Sequence, residues 1–280
     1  MDRATWLGCL ALLLWALLAL LSRAAASLPP FQLAAMTFAV SGGLGLTWPW
    51  ATRRLDALRV PPLAWLHGVG GLFGYHALFF AAMARAPAAE ANLLNYTWPL
   101  LIVLLSAPLP GLRLTVRHLL GIVTGLSGSL LLLARGTNFT SGALTGYACA
   151  IGAALIWALY SVLARRMRAV PTEAVVGSCA ASSILAAVAH FMFESTVIPD
   201  RQALLAVLAL GLGPAGAAFF LWDFAMKRGD PRLLGALAYA TPVASTIILG
   251  LAGFASLSLS TVAAALLVVA GGWIAAGASR

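Results

Sequence analysis

Apolar runs of about 20 residues follow one another from one end of this 280-residue chain to the other. Ten can be drawn: 4–22, 31–50, 62–84, 87–106, 116–134, 142–164, 173–193, 202–225, 232–253 and 260–278. Prolines, glycines or charges part them, at Pro29-Pro30, Pro61-Pro62, Pro87, Pro108 to Gly111, Gly136, Pro171, Pro199 and Pro231. A helix rises 1.5 Å per residue, so about 20 apolar residues cross a hydrocarbon layer roughly 30 Å thick. The pattern therefore predicts ten membrane-spanning helices, short connections and no soluble domain.

Polar positions inside these runs are few, and their spacing is informative. Asn92, Asn95, Tyr96 and Pro99 fall at i, i+3, i+4 and i+7, one face of the fourth helix. An amide turned to lipid has no hydrogen-bond partner, so this stripe must face protein or water. It either bonds neighbouring helices together or walls a cavity. The helix-breaking proline and the aromatic Trp98 beside it favour the cavity. On span three, Tyr75 and Phe79 lie one turn apart with His76 between; on span six, Trp157, Tyr160 and Ser161 form a similar group. Tyr75, His76, Phe79, Asn92, Asn95, Tyr96, Trp98, Trp157 and Tyr160, with Tyr239 of span nine, are the candidate substrate-binding set.

The chain also repeats itself. Trp15-Ala16-Leu17, Leu21 and Arg23 recur 142 residues later as Trp157-Ala158-Leu159, Leu163 and Arg165. Ala82-Met83 and Arg85 recur 143 residues on as Ala225-Met226 and Arg228, and Tyr96 and Pro99 recur as Tyr239 and Pro242. Two units of five spans follow, 1–137 and 138–280. Five is odd, so the second unit enters the membrane inverted relative to the first, the arrangement used for alternating access. Pro99 and Pro242 each remove a backbone hydrogen bond within a span. With Gly71 and Gly213, from glycine-rich stretches that let backbones approach and slide, they are the candidate hinge and gate positions.

Composition agrees. Hydrophobic residues make up 62% and charged residues 9%, against about 25% charged in soluble domains. The net charge of +9 is a topology signal. With the N-terminus inside, 13 of the 17 basic residues fall in cytoplasmic segments, among them Arg53, Arg54, Arg113, Arg165, Arg166, Arg168, Lys227, Arg228 and Arg280. Arg23, Arg85, Arg135 and Arg201 fall outside. That bias places both termini in the cytoplasm and makes nucleic acid an unneeded partner. The N-terminal run resembles a signal peptide, but its stretch from Trp15 to Arg23 has a mate deep in the chain, so it is expected to be a true span.

No span carries a lysine or arginine near its middle. Glu90 and Asp223 sit at span ends, where Arg85 and Lys227 are the expected partners. His76 can change charge near neutral pH, though a packing role is the plainer reading. There is no His-Glu-x-x-His, phosphate loop or Gly-x-Ser-x-Gly. Cys9, Cys149 and Cys179 lie in apolar runs without metal-like spacing. An enzyme, a metal and a cofactor are all unsupported.

The paired Trp-Ala-Leu and Ala-Met-x-Arg signatures, set in five-plus-five spans, resemble the drug/metabolite transporter superfamily, EamA type. Glu90-Ala91-Asn92-Leu93-Leu94-Asn95-Tyr96-Thr97-Trp98-Pro99 is most similar to its bacterial aromatic amino-acid exporter branch. The resemblance implies an all-α integral membrane bundle around a central cavity, exporting amino acids across a bacterial inner membrane. It implies substrate contacts at Tyr75, His76, Tyr96, Trp98 and Trp157. Span nine lacks the asparagines of span four, so a chemically lopsided cavity is expected. The rival is a proton-coupled multidrug or metabolite efflux pump, which usually requires a membrane carboxylate; span one has none.

Overall fold

In a computed structural model the helices fall where the apolar runs predict them. Residues 2–110, 114–134, 139–255 and 258–278 are described, and among them there is no strand. Gly111, Arg113, Arg135, Gly136, Arg280 and the repeat boundary at 137/138 lie outside the described residues. In chain order the helices are α1 (Arg3–Ala24), α2 (Pro30–Ala51), α3 (Pro62–Met83), α4 (Ala88–Ser106), α5 (Val116–Leu133), α6 (Leu144–Leu163), α7 (Val175–Phe193), α8 (Arg201–Arg228), α9 (Pro231–Leu251) and α10 (Leu259–Ala278). Each predicted run coincides with one of them to within a turn.

Among the described residues, nine of these helices have the length and apolarity to cross a membrane, and α2 is a further helix of 22 residues lying along α7. Large apolar side chains such as Phe191, Phe193, Leu251, Val269 and Trp273 are turned outward. Patches of that kind are not sustained against water. The chain is a multi-pass membrane protein.

Local chemistry sets the helix ends and breaks. Asp2 and Asp200 cap α1 and α8, accepting hydrogen bonds from Thr5 N and Ala203 N at 2.7 Å each. The helical pieces within α4 and α9 end at Asn95 and Ala238 and resume at Trp98 and Ala240. Pro99 and Pro242 follow those two ends by four residues. Each proline lacks the N–H that would bond to that carbonyl, so the ladder stops where the missing bond would have been. In α8 the turn Gly213–Ala217 widens to a π-helix around Pro214. Bulges of this type bend helices and often accompany functional sites.

Helices pair along their lengths: α5 with α10, α2 with α7, α3 with α6, and α1 with the last part of α8. The first piece of α9 packs on the last piece of α4. The α5–α10 contact is backbone against backbone. A Cβ added at Gly121 would lie 2.7 Å from the Gly271 carbonyl oxygen, and one at Gly271 would lie 2.5 Å from that of Gly121. Gly121→Leu is therefore expected to cost about 1–3 kcal/mol by overpacking and to lower the melting temperature in detergent. Gly70→Ala, where an added Cβ meets nothing within 4 Å, serves as the neutral control. Equal melting of both variants would mean that α5 and α10 do not touch in this way.

Candidate functional site

A cavity of about 450 Å³ opens in the bundle on the side where α1 ends, α2 begins, α3 ends and α4 begins. Its walls come from the second half of α1, the first half of α2, the second half of α3, the first piece of α4 with Trp98 just past the break, Trp157 of α6, the π-turn region of α8 and the second piece of α9. α4 and α9 touch at the closed end and splay around the cavity at the open end. The volume falls within the ~300–1,000 Å³ of small-molecule sites.

The sequence-derived set is largely brought together. Tyr75, His76, Phe79, Asn92, Asn95, Tyr96, Trp98 and Trp157 all line this space. Asn95 is 3% exposed; its Nδ2 donates to the Tyr75 hydroxyl at 3.2 Å, while its Oδ1 has no partner. Thr241 Oγ1, on the opposite wall, is buried and equally unpartnered. A buried oxygen left in this state is a place for a donor to bind. The Nδ1 of His76 donates to the Leu72 carbonyl at 2.7 Å, since a carbonyl can only accept. Its ring packs against Phe38, Tyr75, Phe80 and Phe219. His76 thus serves packing and lines the cavity at once. Among the described residues, no aspartate, glutamate, lysine or arginine lines this cavity.

The cavity ends on tryptophans. Trp15 meets Trp157 edge-on at 5.4 Å between centroids, and Trp98 meets both at 6.5 and 6.4 Å. Trp222 lies beneath them, 5.1 Å from Trp15, with its Nε1 bonded to Ser161 Oγ at 2.9 Å. Trp15 Nε1 donates to the Pro214 carbonyl at 2.9 Å, a carbonyl within the π-turn. The widened turn therefore anchors the floor to α8.

Below the floor lies a polar clasp. Asp223 and Lys227 pair at 2.7 Å with side chains 5% and 6% exposed. Thr172 Oγ1 donates to Asp223 at 2.8 Å, and Lys227 Nζ donates to the Val170 carbonyl at 2.9 Å. Arg168 Nε reaches the Lys227 carbonyl at 2.5 Å, and Arg165 Nη1 reaches that of Gly229 at 2.6 Å. The segment joining α6 to α7 is thereby tied to the end of α8. The pairing of Asp223 with Lys227 is as expected from their spacing.

Two candidates are corrected. Tyr160 lies beneath the floor, its ring packed on Gly71 and stacked on His67 at 4.7 Å. Gly71 is accordingly a close-packing position between α3 and α6. Tyr239 is fully buried at the break in α9, against Gly125 of α5 and beside Val103 and Ile122, and does not line the cavity. The reason is geometric. α4 offers its first piece and its break to the cavity, whereas α9 offers its second piece from Thr241 onward, so Tyr239, just before that piece, turns to α5 instead. Of the four hinge and gate candidates, Pro242 borders the cavity, Pro99 ends the break in α4, and Gly213 opens the π-turn.

Several lining residues were not anticipated. Trp15, Thr37, Phe219, Thr241, Ser245 and Thr246 share the walls. Trp15 had a signal, as the repeat mate of Trp157. Thr241 and Ser245 lie four apart, one face of α9 beyond its break, and answer the asparagines across the space. The two walls thus differ in kind: α4 brings amides and α9 brings hydroxyls.

An apolar helical bundle around a hollow of about 450 Å³, polar on two walls and aromatic elsewhere, fits a membrane transporter of small molecules. The chain belongs to the EamA-like transporter family, whose model matches it twice, over residues 3–134 and 144–276. It is 48% identical over 278 residues to the aromatic amino acid exporter YddG of Ancylobacter novellus, covering 98% of this chain and 97% of the relative. It is 29% identical to the threonine/homoserine exporter RhtA of Salmonella typhimurium, covering 78% of this chain and 73% of the relative. A crystal structure at 47% identity superposes with a TM-score of 0.95, covering 99% of this chain and 98% of the other.

Proposed function

We propose that this protein exports amino acids, aromatic ones foremost, across a bacterial inner membrane by alternating access and down the substrate's own gradient. The observation that carries this reading is the uncharged cavity with an asparagine stripe on one wall and aromatic rings on the others. A zwitterion needs donors for its carboxylate, acceptors for its ammonium and an apolar slot for its side chain. Asn92, Asn95 and the Tyr96 hydroxyl supply the first two kinds. Trp98, Trp157 and Tyr75 face the ammonium or stack on an aromatic side chain. The name of the Ancylobacter novellus relative, an aromatic amino acid exporter, supports the same substrate class.

The proposed frame is ten crossings in two inverted repeats, 1–137 and 138–280. The double match of the family model supports the duplication. So does the pairing of helices: α1 with α8 answers α6 with α3, and α2–α7 and α5–α10 join repeat mates. With the basic segments inside, both termini are cytoplasmic and the cavity opens to the outside. The tryptophan floor and the clasp beneath it then form the closed inner gate. Tyr-x-x-Pro breaks in α4 and α9 supply the bending points.

Proteoliposomes loaded with labelled phenylalanine test this. Flux is expected without a proton gradient and unchanged when one is imposed. Zero flux from well-folded protein would overturn the reading. Flux that appears only with a gradient, and vanishes in His76→Ala, would replace it with the proton-coupled pump. The uncharged lining speaks against that rival, which needs a carboxylate that alternates between proton and cargo.

A further inference from the structure

A second hollow, of about 580 Å³, opens at the opposite end of the bundle between α2, the turn leading into α7, and α8. Four cations rim it: Arg54, Arg168, Lys227 and Arg228. Two are matched by carboxylates, Arg54 by Glu173 at 3.1 Å and Lys227 by Asp223 at 2.7 Å. Arg168 and Arg228 have no carboxylate within ion-pair distance among the described residues. Arg168 places Nε on the Lys227 carbonyl, and Arg228 lies over the Phe224 ring at 5.0 Å. The rim therefore holds two positive charges in excess, both on exposed side chains.

The walls below the rim are apolar. Phe220, Phe224 and Val176 line them, and Gly45 leaves the room: a Cβ there would sit 3.0 Å from Val176 and 3.3 Å from Phe220. Trp50, exposed at the end of α2, stands nearby in sequence, as tryptophans do at the membrane surface. Cations above and aromatic walls below fit an amphiphile. Free phosphate would use the rim alone and gain nothing from the phenylalanines.

We infer that this groove binds the head of an anionic phospholipid, its phosphodiester between Arg168 and Arg228 and its upper chain segments along Phe220 and Phe224. Basic pockets between membrane helices on the cytoplasmic side take such headgroups, and the charge bias places this end of the bundle on that side. The groove is distinct from the transport cavity but shares Arg168 and Lys227 with the clasp beneath the tryptophan floor, so lipid preference is read by binding and not by export.

Native mass spectrometry of the full-length protein in detergent tests this, with phosphatidylglycerol and phosphatidylcholine of identical chains. Phosphatidylglycerol is expected to bind at about thirtyfold lower concentration, the scale of two basic residues near a membrane surface. Arg168→Gln with Arg228→Gln is expected to erase that preference. Arg228→Gln alone, on an exposed side chain, is expected to halve it or more and covers the case in which the double variant does not fold. Arg201→Gln, exposed at the other end of the bundle, is expected to leave it intact. Equal binding of the two lipids, or an unchanged preference in the Arg228 variant, overturns the inference. Equal competition by soluble glycerol phosphate overturns the lipid as occupant and leaves a site for free anions.

Discussion

Replacing Asn95 with alanine is expected to cut export of aromatic amino acids roughly 10- to 100-fold while the protein still folds. The magnitude follows from removing a hydrogen bond to a charged group, about 1.5–3 kcal/mol. Asn95 Oδ1 is buried at the cavity wall with no partner, so an ammonium arriving there is worth more than at a site already satisfied. The rival account makes Asn95 a fastener between α4 and α3, through its bond to the Tyr75 hydroxyl. Tyr75→Phe separates the two. It removes that bond but leaves Oδ1 in place. If Asn95 only fastens helices, both variants lose the same thermal stability and similar flux. If Asn95 meets the cargo, the alanine variant loses far more flux than Tyr75→Phe. Full export by the alanine variant would remove the asparagine wall from the mechanism, and with it the case for a zwitterionic substrate.

The second large effect concerns the clasp. Asp223→Ala strands Lys227, a nearly buried cation whose remaining bond runs to the Val170 carbonyl. Breaking a buried pair from one side costs about 3–5 kcal/mol, because the other charge stays behind unpaired. The expected result is a lower melting temperature and faster thiol labelling of Cys179, which is fully buried on α7. Asp223→Leu combined with Lys227→Met tests what the charges contribute. Swapping a buried pair for apolar residues is often neutral or stabilising, so melting is expected to recover. Export is expected to stay low. When the inner end opens, water hydrates a parted Asp and Lys and offsets their lost attraction, but it penalises a parted Leu and Met. Wild-type export from the double variant would reduce the pair to a structural prop.

Much of this was legible in the chain. The apolar runs located every helix, because a membrane leaves the backbone no alternative to internal hydrogen bonding. Pro99 and Pro242 marked the two spans that break, and the breaks fall four residues before them, where the missing N–H acts. The spacing of Asn92 and Asn95 identified the wall they form. The errors have separate causes. Tyr239 matches Tyr96 by repeat position and both sit at a helix break, yet Tyr96 faces the cavity and Tyr239 faces α5. A cavity open at one end draws on the first piece of α4 and the second of α9. Thr241 and Ser245, unremarkable as sequence, therefore line it, while Tyr239 is packed against Gly125. The π-turn of α8 had only Pro214 and its glycines as a signal, and these fit an ordinary kink as well. Tyr160 was assigned to the cavity through its neighbour Trp157, but three residues along a helix are enough to carry a ring from floor to foundation.

The breaks in α4 and α9 bear on how little such a molecule must spend in motion. An intact helix has to surrender backbone bonds before it can bend. Here the carbonyls of Asn95 and Ala238 already face prolines that cannot donate, so the surrender was made once, when the chain folded. Each severed half is then a lever on a standing joint, and swinging it asks only for a change in a few torsions.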